Sequence, residues 1–149
     1  SVLGKSEIKI LPDEALIRVS LVGKAMKTGD ATEVLNKKAA SVTKALRRSG
    51  TDNYQLKADN YYVKVNRIYT KGTSKDSGYV ASQTLNILVN DTGEDLLEII
   101  EALHDSADMG FQLQFQLSDS KRKEYEAQLL QMAIMDARQK AALIAGALD

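Results

Sequence analysis

Residues 111–117 read Phe-Gln-Leu-Gln-Phe-Gln-Leu. Phe111, Leu113, Phe115 and Leu117 alternate strictly with Gln112, Gln114 and Gln116, a two-residue period that only an extended strand presents as two distinct faces. One face is apolar; the other is lined with glutamine. Helices flank this strand in the sequence. Before it, residues 92–107 place Glu94 and Asp95 where a helix dipole favours negative charge, with Leu96, Ile100 and Leu103 pointing inward, and so predict a helix. After it, Ser120 to about Ala147 reads as a long alanine-rich helix carrying Met132, Ile134 and Ile144.

Towards the N-terminus, the pattern repeats. Tyr79–Val89 reads as a strand, preceded by Lys-Gly-Thr-Ser-Lys-Asp-Ser-Gly at 71–78, whose composition predicts a mobile loop. Tyr54–Tyr69 is extended but long for one strand, so a bulge or break is expected near Asp59-Asn60. Asp30 and Glu33 stand at capping-box spacing before a helix whose stripe is Val34, Leu35, Ala39, Val42 and Leu46. Arg47 and Arg48 suit its negative end and Gly50 its stop. Ala15, Ile17, Val19 and Leu21 alternate with Leu16, Arg18, Ser20 and Val22. Before them, Leu3–Ile10 reads as a leading strand, joined by the turn at Pro12-Asp13. The expected order is β-β-α-β-β-α-β-α: an α+β fold with a split-βαβ core, a largely antiparallel sheet and helices packed on one face.

The 149 residues suit a single domain, or two small lobes with about 59–119 as the second. Twenty basic residues balance twenty acidic ones, so no global field draws the chain to nucleic acid or anionic lipid. The absence of cysteine excludes disulfides, thiolate metal sites and cysteine nucleophiles. No apolar run reaches the ~18 residues of a transmembrane helix.

Candidate chemistry is sparse. His104 is the only histidine, and without cysteine a zinc site could recruit only carboxylates; it reads as a boundary residue near the end of its helix. Ser-x-x-Lys occurs at Ser41/Lys44 and Ser118/Lys121, without the companion motifs that make that spacing catalytic. Asp13-Glu14, Glu94-Asp95 and Asp105/Asp108 lack the alternation of a calcium loop. Asn90-Asp91-Thr92 matches a glycosylation acceptor but reads as a helix N-terminus. Tyr54, Tyr61, Tyr62 and Tyr69 interleave with Lys57, Lys64, Arg67 and Lys71, a mixture that can stack bases and hold phosphates, although half-buried tyrosines also simply suit a strand. In the last helix, Ala133, Ala137, Ala141 and Ala145 form a ridge that predicts close docking.

Several landmarks together carry a resemblance. They are Gly4, Pro12-Asp13-Glu14-Ala15, Leu46 with Gly50, Gly78-Tyr79 before Ala81-Ser82, Phe115-x-Leu117-Ser118-Asp119, and Asp136-Ala137-Arg138 with Lys140-Ala141 and Ala145. In order and spacing the chain resembles the SIMPL-domain family, or domain of unknown function 541, of bacterial periplasmic and outer-membrane-associated proteins. Two departures stand out: Asp108-Met109-Gly110 replaces the usual Gly-Ala-Asn, and the family's further C-terminal strand is absent from a chain ending at Leu148-Asp149.

The resemblance implies an exported protein, with its signal not in this chain, that forms a homo-oligomer and is linked to stress tolerance. It carries over no catalytic residue. The expected function is therefore a non-catalytic structural or interaction protein of the cell envelope, needing no cofactor or metal. Gln112, Gln114, Gln116, Tyr61, Tyr62 and Tyr69 are its candidate interaction surface. The alternative is a nucleic-acid- or small-ligand-binding module using strand 54–71.

Overall fold

The computed structural model of the chain describes residues 3–4, 7, 9–106 and 109–148, the last without its side chain. It divides into two compact units: residues 14–116, and residues 1–13 with 117–149.

In the first unit, strand β1 (Glu14–Ala25) buries every second residue, and Ala15, Ile17, Val19 and Leu21 are at most 1% exposed. Helix α1 (Thr28–Arg48) and helix α2 (Glu94–Ser106) lie over that face. Leu35, Val42 and Leu46 of α1, with Leu96, Ile99 and Leu103 of α2, join the odd-numbered residues of β1 in one core. Strand β3 (Thr73–Val89) adds Ala81, Leu85, Ile87 and Val89 to it. At Gly23 the backbone of α1 comes so near that an added Cβ would run into the carbonyl of Ala31 and lie 2.7 Å from the Leu35 nitrogen. Only glycine permits that approach.

The sheet order is β2-β3-β1-β4, with β2 spanning Tyr54–Thr70 and β4 spanning Phe111–Gln116. All its pairings are antiparallel. Strand β3 therefore inserts between β1 and β2, which α1 connects: the split-βαβ arrangement. Phe111–Leu117, whose position in the sheet periodicity alone leaves open, lies at an edge, and its ladder runs from Phe111 to Gln116.

Several boundaries differ from expectation. The leading strand over Leu3–Ile10 falls partly outside the described residues; those described within it have irregular backbone. Helix α1 begins at Thr28, before Asp30, because the Ala31 N–H already bonds the Lys27 carbonyl at 3.0 Å. Asp30 thus sits in the first turn, and Glu33 pairs instead with Lys37 at 3.6 Å. The expected break in β2 is present: Asn60 has φ 54°, and the register shifts between Asp59 and Tyr62. The loop expected at 71–78 is a correction. Lys71 and Gly72, with φ 52° and 80°, form a two-residue turn, and Thr73–Gly78 belongs to β3. Two consecutive positive φ angles match the right-handed strand twist, so pairing continues up to the turn.

In the second unit, helix α3 (Asp119–Leu148) is capped from a distance. Asp13 Oδ1 accepts the Ser118 N–H at 2.7 Å and Oδ2 accepts the Ser118 hydroxyl at 2.6 Å. Ser118 Oγ in turn accepts the Lys121 N–H at 3.3 Å. The alanine ridge is only partly covered. Ala133 and Ala137 are half-buried, whereas Ala141 and Ala145 are exposed. A Cβ at Gly4 would collide with the Ala133 carbonyl, so Gly4 lies directly on the ridge there. The outer alanines reflect helix propensity instead.

Two outcomes follow for stability. Ile17→Ala removes a fully buried side chain between two neighbouring strands and is expected to cost about 2–5 kcal/mol, measurable by urea denaturation. The hydrogen bonds from Ser118, the side-chain one foremost, hold the Asp13 carboxyl below the ordinary aspartate range. A depressed carboxylate stabilises the fold above the unfolded pKa of about 4 and loses that contribution as pH falls through the folded value. Thermal melts are expected to show a deficit for Asp13→Asn at neutral pH that closes under acid; a deficit independent of pH would contradict the role of the charge.

Candidate functional site

The helices cover one face of the sheet in the 14–116 unit, and the even-numbered residues of β1 and β3 point to the other. The register places these in rows across the strands. Gln112, Arg18, Asn86 and Lys57 stand side by side on β4, β1, β3 and β2. The next row is Gln114, Leu16, Leu88 and Gln55, and on the other side come Ser20, Thr84 and Asp59. Sheet twist and the bulge at Asn60 curve this surface into a trough of about 560 Å³ lined by residues of all three rows and by Gln116.

Its chemistry is mixed. Leu16 and Leu88 are half-buried neighbours on the floor. Arg18 and Lys57 are exposed, and neither has an ion-pair partner among the described residues. Asn86 Nδ2 donates to Asp59 Oδ2 at 2.8 Å, which ties β3 to β2 beside the two cations. Gln116 Nε2 donates to Glu14 Oε1 at 3.4 Å at the margin.

The candidate surface residues are not brought together. Gln112, Gln114 and Gln116 share the open face on β4, at one edge. Tyr62 is on β2 at the opposite edge, paired with Ser82, with Lys64 Nζ 5.5 Å from its ring centroid. Tyr61 is half-exposed within the bulge. Tyr69, 77% exposed, stands near the tip of the two-stranded ribbon that β2 and β3 continue beyond the end of β1. Of the candidates only Gln112 and Gln116 line the trough, which draws also on Arg18, Ser20, Thr84 and Asn86. Their alternation is visible in the sequence, but their alignment with Lys57 depends on pairing between distant strands.

Several of the remaining candidates have structural partners. His104 is exposed, with its ring 5.2 Å from that of Phe111. Ser41 donates to the Lys37 carbonyl, and Ser118 is engaged in the α3 cap. Lys121 turns to Glu124 at 3.3 Å. Asp91 caps α2 by accepting the Gly93 and Asp95 N–H groups, and Asp95 accepts from Asn53 at 3.2 Å. Asp108 lies outside the described residues. Among the described residues, no three histidine or acidic side chains converge as a metal site would require, and no helix is long and apolar enough to cross a membrane.

The sequence model of SIMPL, described as "Protein of unknown function (DUF541)", matches residues 1–149. No curated protein matches the chain. Among solved structures, the de novo designed protein Foldit4 aligns at 8% identity and a TM-score of 0.37, covering 70% of this chain and 98% of its own. GlnK of B. subtilis aligns at 9% and 0.35, covering 68% and 84%. Neither likeness bears on activity.

Elemental analysis of the purified protein is expected to find no stoichiometric transition metal, and EDTA to leave its melting temperature unchanged. One zinc per chain would contradict this reading of the carboxylates and His104.

Proposed function

The chain belongs to the SIMPL family of proteins of unknown function, and from that premise we propose a non-catalytic structural or interaction protein. In this reading it is exported to the periplasm or outer membrane, self-associates, and serves envelope integrity or stress tolerance indirectly. The observation that carries it is the edge position of β4, which pairs only with β1 among the described residues. An edge strand presents unpaired backbone donors and acceptors to any further strand. Proteins usually guard such edges with lysine, proline or a bulge, and Phe111–Gln116 contains neither residue and keeps an unbroken register. Leu113 and Phe115 are 37% and 51% exposed along it, apolar surface that strand addition would bury. The structural partners found for Ser41, Ser118, Lys121 and Asp91 support the non-catalytic part of the proposal.

A second reading, a nucleic-acid- or small-ligand-binding module using strand 54–71, draws on Lys57 in the trough and Lys64 over Tyr62.

Multi-angle light scattering at several protein concentrations tests the assembly. The protein is expected to exceed monomer mass, and Leu113→Lys with Phe115→Lys to return it to monomer while far-UV circular dichroism stays unchanged. A strict monomer at high micromolar concentration, or a folded double variant that assembles equally well, would refute the β4 interface.

A further inference from the structure

The three rows of the trough differ in kind, and their sequence along the strands defines a ligand. The Leu16–Leu88 pair is apolar, the Arg18–Asn86–Lys57 row is cationic, and Ser20 and Thr84 offer hydroxyls. Successive rows are about 7 Å apart, because same-face residues recur every second position of a strand. Arg18 and Lys57 stand two strands apart across Asn86, about 10 Å between backbones, within reach of one anion from both sides. Two like charges lining one concavity repel, and an anion between them removes that repulsion while gaining charge-assisted hydrogen bonds. The trough's volume of about 560 Å³ suits a small molecule.

From this pattern we infer that the open face of the sheet binds a small organic anion. Its carboxylate or phosphate sits between Arg18 and Lys57, and its apolar body lies on Leu16 and Leu88. The inference rests on the ligand-binding reading and narrows it from the tyrosine-bearing stretch to the Lys57 end of β2. The net positive balance of Arg18 and Lys57 against Asp59, itself engaged with Asn86, selects an anion over a cation or a neutral amphiphile. The trough lining contains no aromatic ring on which a base could stack, which favours a small acid over single-stranded nucleic acid.

Hexanoate is the probe, titrated into the isotopically labelled full chain while the backbone amides of Leu16, Arg18, Lys57 and Asn86 are followed. Saturable shifts confined to these rows are expected. Arg18→Gln and Lys57→Gln, both at exposed side chains, should each weaken the apparent Kd at least about tenfold, as loss of a charge-assisted hydrogen bond requires. Hexanol, without the charge, and inorganic phosphate, without the apolar body, should each bind more weakly than hexanoate. Equal binding of hexanol would remove the anion from the assignment, and equal binding of phosphate would remove the apolar body. Unchanged affinity in both variants would place the site elsewhere. An oligothymidylate that binds where hexanoate does not would overturn the small-anion assignment yet leave the ligand reading standing; if neither binds, both fall.

Discussion

The first unit depends on β1 being covered on one face only. Paired on both sides, by β3 and β4, the strand sends Ala15, Ile17, Val19 and Leu21 under the two helices and Leu16, Arg18, Ser20 and Val22 away from them. A shift of one residue in either ladder would turn leucine outward and arginine inward, an exchange that burial of an unpaired charge forbids. Gly23 is the closest point of this arrangement, where the α1 backbone touches the strand. The position of α1, and with it the edge strand reached through α2, follows from that contact and from the Leu35, Val42 and Leu46 stripe.

The proposed interactions use surface that this packing leaves over. A sheet with α1 and α2 on one face leaves its other face and its edges free of those two helices, and these would suit different partners. The edge of β4 offers backbone hydrogen bonds in a regular array, which another strand satisfies without regard to side-chain chemistry. The open face offers side chains at fixed spacings, which a small ligand reads by charge and shape. Gln112, Gln114 and Gln116 belong to both settings, since they project from the edge strand onto the open face. Amide side chains there add hydrogen-bonding capacity without the repulsion that charged groups would bring to a copy of the same edge.

Charge and chain direction are handled locally elsewhere. The Lys71-Gly72 turn reverses the chain in two residues, and the Arg67–Asp76 pair at 3.7 Å and the Asn66-to-Ser77 bond brace the ribbon. Being exposed, that ion pair contributes little to stability, so the ribbon depends chiefly on its continuous backbone ladder. At α3, a single carboxylate does more, because Asp13 satisfies both the Ser118 N–H and its hydroxyl at a helix start that would otherwise expose unpaired donors.

The element types were legible from local patterning. Strict alternation in Phe111–Leu117 and in Ala15–Val22, and the three- and four-residue spacing of Leu35, Val42 and Leu46, express a period belonging to the residue's own backbone geometry. The break near Asp59-Asn60 was legible for the same reason, since a stretch too long for one strand must interrupt its ladder. The extent of β3 was not: Ser, Lys, Asp and Gly at 73–78 suit a loop by composition, and only pairing with Arg67–Thr70 makes them strand. The candidate surface was legible as a list of exposed polar and aromatic side chains but not as a place. Gln112, Arg18, Asn86 and Lys57 are far apart in sequence, and no local propensity relates them. Their common row exists because the helices cover one face and the strand order puts β3 between β1 and β2. Local chemistry determined which side chains could face outward; long-range hydrogen bonding decided which of them stand together.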